Sequence, residues 1–112
     1  MTANECITGR RSIRKFTEQP VSHELIQKIV ETASFAPSWK NTQITRYIAV
    51  EGEAKKALAK CTSIYPGNGT IMEQAPMVIA VTIITGRSGF ERDGSFSTPK
   101  GTGWQMYDAG VA

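Results

Sequence analysis

Apolar residues return at intervals of three and four after Ser22: Leu25, Ile26, Ile29, Val30 and Ala33. That spacing places them on one stripe of a helix. Ser22 is a good N-cap, and Glu24 falls in the first turn, where the helix dipole favours an acid. Pro37 imposes a stop, because it pushes the preceding residue out of the helical region. From Ile44 to Val50 the period changes to two, with Ile44, Arg46, Ile48 and Val50 on one face and Thr45, Tyr47 and Ala49 on the other. This predicts a strand close to a sheet edge. Met77 to Ile84 is apolar apart from Thr82 and rich in β-branched residues, which predicts a strand buried on both faces.

Shorter patterns fill the intervals. Thr2 to Thr8 suits a short helix capped by Thr2 or Asn4 and ended at Gly9, with Cys6 and Ile7 as its apolar side. Glu53 to Lys60 predicts an amphipathic helix with Ala54, Ala57, Leu58 and Cys61 inward. The Pro-Gly and Asn-Gly pairs within Tyr65–Gly69 read as a loop, followed by a single helical turn from Ile71 to Gln74. Gly86 to Gly103 reads as a long loop with little that packs, expected to be mobile and a candidate lid. A last helix starts at Trp104, with Thr102 as its cap and Trp104, Tyr107 and Val111 forming an interface-like stripe. It runs to the final residue without a stop signal, which reads as a chain cut within an element.

The 112 residues predict one domain. The net charge of +3 suits a small anion as well as a polyanion. No apolar run approaches the roughly 18 residues of a membrane span, and the N-terminus lacks the basic-then-apolar order of a signal peptide. Cys6 and Cys61 follow no metal or redox spacing. They read as small buried residues of a protein in the reducing cytoplasm. His23 is the sole histidine, so no histidine-based metal site and no Ser/His/Asp or Cys/His set is expected.

Two stretches carry candidate chemistry. In Gly9-Arg10-Arg11-Ser12-Ile13-Arg14-Lys15-Phe16, extended chain places Arg10, Ser12 and Arg14 on one face and Arg11, Ile13 and Lys15 on the other. Two guanidinium forks flanking a hydroxyl suit a phosphate. A solvated basic turn, or a patch for nucleic acid or an acidic partner, explains the same residues. The second stretch is Ala36-Pro37-Ser38-Trp39-Lys40-Asn41-Thr42-Gln43, a polar loop between a helix and a strand. Its Asn and Gln each offer a donor and an acceptor, as the imide edge of a planar heterocycle requires. A loop whose Trp39 simply packs on the core is the plainer alternative.

Taken together, and in this order, these stretches resemble the FMN-dependent nitroreductase family. Ala75-Pro76-Met77-Val78-Ile79 resembles a buried strand of that family, and Gly103-Trp104-Gln105-Met106-Tyr107-Asp108-Ala109-Gly110 resembles the start of its central helix. The resemblance implies an α+β fold, a mostly antiparallel sheet flanked by helices, built as an intertwined homodimer with FMN at the interface. It implies that residues 1–112 are the N-terminal portion of that domain. It also implies that Arg10 and Ser12 serve the FMN phosphate, with Arg11 in the same segment, and that Arg14 lies beside the flavin pyrimidine edge. Pro37, Ser38 and Trp39 would line the isoalloxazine from the partner subunit, with Asn41 and Gln43 also at the flavin. The implied activity takes hydride from NAD(P)H and reduces a nitroaromatic, a quinone or a similar small acceptor in a ping-pong cycle. The cofactor supplies the chemistry, so no side chain is needed as a catalytic acid or base. Many members carry Pro where Ile44 follows Gln43 here. The family's later glycine-rich flavin loop and basic C-terminal segment have no counterpart in these residues.

Overall fold

A computed structural model describes residues 1–62 and 64–112. In chain order the elements are α1 (Ala3–Gly9), α2 (His23–Ala33), a short 3-10 turn (Trp39–Asn41), β1 (Thr45–Val50), α3 (Gly52–Lys60), α4 (Pro66–Gln74), β2 (Val78–Ile83) and α5 (Gly103–Val111). The chain is α+β. It divides into two compact units, Met1–Pro20 with Glu51–Pro76, and Val21–Val50 with Met77–Ala112.

In the first unit, Thr2 caps α1 through a reciprocal box. Its hydroxyl accepts from Glu5 N, and Glu5 accepts from Thr2 N at 2.6 Å. The Glu5 carboxyl is held below its ordinary value by those bonds to Thr2. Gly9 is the last residue of α1 rather than the first beyond it. Cys6 and Ile7 face solvent, and Cys61 is also exposed, because α1 has no buried side. In α3 the buried residue is Ala59, with Leu58 half-buried, while Ala54, Ala57 and Cys61 are exposed.

Within the Tyr65–Gly69 segment, Tyr65 is an extended cap and Pro66 to Gly69 are helical, not a loop. Pro66 is the first residue of α4, where its missing N–H costs nothing and its fixed φ suits the helix. Gly69 is there for contact rather than for a turn: a Cβ would lie 3.0 Å from the Ala59 carbonyl oxygen and 3.1 Å from Thr62 Oγ1. That closeness lets α4 pack on α3. Lys55 then reaches across to the C-terminal carbonyls of α4, donating to Glu73 O at 3.1 Å and to Ala75 O, where a cation opposes the dipole.

The second unit holds the sheet. β1 and β2 pair antiparallel, with Thr45 opposite Ile83 and Val50 opposite Val78. Ile44, fully buried, extends the ladder by accepting from Ile84 N at 2.9 Å. Period-two alternation holds in β1 from Thr45 to Ile48 and then breaks: beyond Ile44 the covered positions are Thr45, Tyr47 and Val50, while Arg46, Ile48 and Ala49 are exposed. Arg46 turns its guanidinium back to the carbonyls of Gln43 and Thr45, both at 2.8 Å, which keeps that face in solvent. β2 is not buried on both faces, since Val81 and Thr82 are exposed. Among the described residues the sheet has two strands, and α5 touches β2. Ser22 caps α2 by accepting from Leu25 N at 3.2 Å. The stripe on α2 is only partly covered, and Leu25 and Ile29 remain half exposed.

Residues 86–103 are folded rather than loose. Phe90 and Phe96 form a bridge with ring centroids 5.0 Å apart. Ser97 N donates to Gly89 O at 2.9 Å, and Trp104 Nε1 to Thr98 Oγ1 at 2.8 Å. Gly89 has φ +81°, and a Cβ there would lie 2.6 Å from Gly101 O and 3.0 Å from the Trp104 ring. The segment packs through backbone contacts that no apolar stripe announces. Among the described residues, no helix is long and apolar enough to cross a membrane.

Alanine is favoured over glycine in a helix by about 1 kcal/mol. Gly110→Ala in α5, where a Cβ meets nothing within 4 Å, should therefore raise stability by roughly that amount. Gly69→Ala should give no gain or a loss, because the new methyl meets a helix carbonyl. Urea denaturation midpoints compare the two; equal gains would remove the close approach of α4 to α3.

Candidate functional site

The basic stretch lies in the first unit, irregular in backbone and exposed along its whole length. Alternation does bring Arg10 and Ser12 together: Arg10 Nη1 donates to Ser12 Oγ at 3.3 Å. Arg14 Nη1 donates to the Ser12 carbonyl, also at 3.3 Å. Arg11 points elsewhere, folding back on Thr8 O at 3.1 Å and Arg10 O at 2.9 Å at the end of α1. Arg10 and Arg14 thus converge on Ser12, and Arg11 braces the chain behind them. Among the described residues no carboxylate pairs with Arg10, Arg11 or Arg14. Two guanidinium groups bonded to one residue, Arg10 at the Ser12 hydroxyl and Arg14 at its carbonyl, with no acid paired to them among the described residues, fit a phosphate.

The other candidate residues lie in the second unit. Pro37, Ser38, Asn41 and Gln43 share the wall of a cleft of about 480 Å³ with Thr45, Arg46 and Tyr47. Amide, hydroxyl and guanidinium groups beside the apolar Val30, Ala33 and Pro37 give the wall that a flat ring with a polar edge needs. Trp39 does not line this cleft. Its ring lies 6.5 Å from that of Trp104, and Lys40 Nζ sits over it at 4.4 Å. Lys40 is held in turn by Glu91 at 3.1 Å. The Ser97 hydroxyl first, and Lys40 after it, hold the Glu91 carboxyl below its ordinary value.

The backbone of this loop is unusual. Lys40, Asn41 and Gln43 have φ of 44°, 54° and 46°, a left-handed region that residues with a Cβ enter at a cost. The turn is closed by Asn41 N to Ser38 O at 2.9 Å, Thr42 N to Trp39 O at 3.0 Å, and Gln43 N to Ser38 Oγ at 2.8 Å. Outside the loop, Trp39 N donates to both oxygens of Asp108, at 3.0 and 3.2 Å.

Asp108 and Arg46 were not singled out as site residues by the sequence, yet both are at the cleft. A signal for Asp108 exists, since it is the one charged residue of α5 and an acid in an otherwise uncharged helix invites a buried partner. Arg46 is signalled only by its nearness to Gln43.

A sequence model of the Nitroreductase family matches residues 7–112. A Bacillus subtilis protein assigned as an NAD(P)H nitroreductase is 43% identical over 53 residues, covering 47% of this chain and 27% of the relative. A solved nitroreductase family protein from Clostridium novyi NT superposes with a TM-score of 0.74 at 25% identity, over 99% of this chain and 59% of that one. A Desulfovibrio desulfuricans protein assigned to the nitroreductases, solved in complex with FMN, gives a TM-score of 0.71 at 26% identity, over 96% of this chain and 55% of that one. This chain therefore matches about a quarter of the curated relative and a little over half of each solved structure.

The Lys40–Glu91 clasp sets a pH dependence. A carboxyl lowered in the folded state contributes stability above its unfolded value, and that contribution is lost as pH falls through the lowered folded value. Trp39 fluorescence should therefore hold steady down through the ordinary carboxylate range and change below it, as Glu91 takes up a proton and Lys40 is released. In Glu91→Gln the same change should be missing. An acid transition identical in both proteins would assign it to another group.

Proposed function

The chain belongs to the nitroreductase family, and from that premise we propose that it is, as part of one nitroreductase domain, an FMN-dependent oxidoreductase. The observation that carries this reading is the convergence of Arg10 on the Ser12 hydroxyl and of Arg14 on the Ser12 carbonyl, with no carboxylate paired to either among the described residues. Bound FMN would supply hydride chemistry, taken from NAD(P)H and delivered to a nitroaromatic, a quinone or another electron-poor acceptor in a ping-pong cycle. The residues divide that work. Arg10 and Ser12 hold the phosphate. Arg11 keeps the segment against the end of α1, and Arg14 offers positive charge to the pyrimidine edge, where negative charge accumulates on reduction. From the partner subunit, Pro37 and Ser38 would line the isoalloxazine, with Asn41 and Gln43 also at the flavin. No side chain is assigned a chemical acid or base role.

In this reading the active form is a homodimer with FMN at its interface, in the cytoplasm, where the free thiols Cys6 and Cys61 stay reduced. The half-exposed Trp104 and the exposed Met106 and Tyr107 of α5 support association. Sedimentation over a wide concentration range should show a dimer or larger species. A compact monomer at high concentration, with Trp104 shielded from quencher, would set that assignment aside.

A second reading is favoured by the exposure of the whole Arg10–Lys15 stretch. A non-catalytic module could use it on an anionic partner. Purified protein that is yellow and releases FMN on denaturation supports the oxidoreductase; colourless protein with salt-sensitive polyanion binding supports the module.

The phosphate role of Arg10 has its own test. Arg10→Ala should weaken FMN by about tenfold or more, the loss of one charged hydrogen bond, and leave riboflavin nearly unaffected. Equal losses for the two ligands would move Arg10 away from the phosphate.

A further inference from the structure

Asp108 is 2% exposed and reaches the wall of the cleft from α5. Its carboxylate takes two donors from two other segments, Trp39 N–H and, at 2.6 Å, the Ser88 hydroxyl. Every local bond that closes the 38–43 turn ends on Ser38 or Trp39: Asn41 N on Ser38 O, Thr42 N and Thr42 Oγ1 on Trp39 O, and Gln43 N on Ser38 Oγ. Fixing Trp39 N–H therefore fixes the frame from which the left-handed Asn41 and Gln43 are presented. The Ser88 bond, to the Oδ2 that Trp39 N–H also reaches, ties the carboxylate to the 86–103 segment, so the carboxylate is not free to follow the turn.

We propose that Asp108 is a positioning residue for the cleft: through Trp39 N–H it sets the left-handed 38–43 turn that places Ser38, Asn41 and Gln43 on the ligand-facing wall. The ligand side of this proposal rests on the flavin reading above; the turn-setting side does not.

Asp108→Asn tests it in the whole chain. The change keeps the volume but replaces one acceptor oxygen with an amide donor facing two donors. Gln105→Ala is the control. Gln105 is a second buried polar anchor on the same helix, accepting from Gly86 N at 2.8 Å, and it makes no bond to the 38–43 turn. Amide exchange and binding of riboflavin and FMN are measured in both. In Asp108→Asn, exchange at Asn41, Thr42 and Gln43 should speed up about tenfold or more, and both flavins should weaken by a common factor of about ten, the scale of one charged hydrogen bond. In Gln105→Ala, exchange should rise at Gly86, with the turn and both affinities unchanged.

Equal effects of the two variants on the turn would make Asp108 a general stabiliser and overturn the proposal, as would native exchange at 41–43 in Asp108→Asn. If the unaltered protein binds neither flavin, the flavin reading fails, while the exchange comparison still decides whether Asp108 sets the turn. Should Asp108→Asn not fold, Ser88→Ala carries the test: it removes the second donor on the carboxylate and should raise exchange at 41–43, and an unchanged turn in that variant overturns the proposal.

Discussion

The second unit depends on one carboxylate. Asp108 ties three stretches of chain, beside the contact of the Trp39 and Trp104 rings: the 38–43 turn through Trp39 N, the 86–103 segment through Ser88, and α5 itself. Among large apolar side chains in this unit, Ile44 is the one fully buried, so directional polar contact takes a part that close packing plays elsewhere. The magnitudes agree. Lys40 and Gln43 in the left-handed region cost about 1–2 kcal/mol each, Asn41 entering it more readily, and the charged hydrogen bond from Trp39 N–H contributes about 1.5–3 kcal/mol. The strained turn and the anchor that holds it are of similar size, which is why neither is expected to persist without the other.

Much of the secondary structure was legible because its causes are local. The stripe of α2 and its Ser22 cap, the alternation of β1, and the β-branched run of β2 each follow from spacing within a few residues. α4 was hidden because Pro66-Gly67-Asn68-Gly69 carries every turn signal. Those residues are helical because Pro suits the first position and because Gly69 is needed for contact with Ala59, a fact about a different helix. The 86–103 segment was hidden for the same kind of reason: its order rests on Ser97 to Gly89, Trp104 to Thr98 and Ser88 to Asp108, pairs that spacing cannot reveal.

The candidate site divides along the same line. The pairing of Arg10 with Ser12 was readable from two-residue alternation, and it is present. The cleft residues Pro37, Ser38, Asn41 and Gln43 were readable as a polar loop, but not the left-handed backbone that arranges them. Trp39 shows the limit of composition as a guide. The resemblance implies a flavin contact for Trp39 and its place in a polar loop does not say where the ring goes; in this chain the ring packs near Trp104 beneath Lys40, and its backbone N–H bonds Asp108.

Polar anchoring of this kind has a consequence for the apolar surface. Because Asp108 and Gln105 occupy the buried side of α5, its larger apolar side chains are turned outward, and Met106 and Tyr107 are 68% and 65% exposed. On α2, which buries no residue, Leu25 and Ile29 are also half open. Directional bonds fix where the turn and the cleft lie without consuming the apolar faces, and those faces stay free to gain from association, each Å² removed from water adding roughly 25 cal/mol. Placement of the site and burial of the helices are thus carried by different forces: an interface that covers α5 can add stability without moving the turn, because the carboxylate that holds the turn already lies on the covered side.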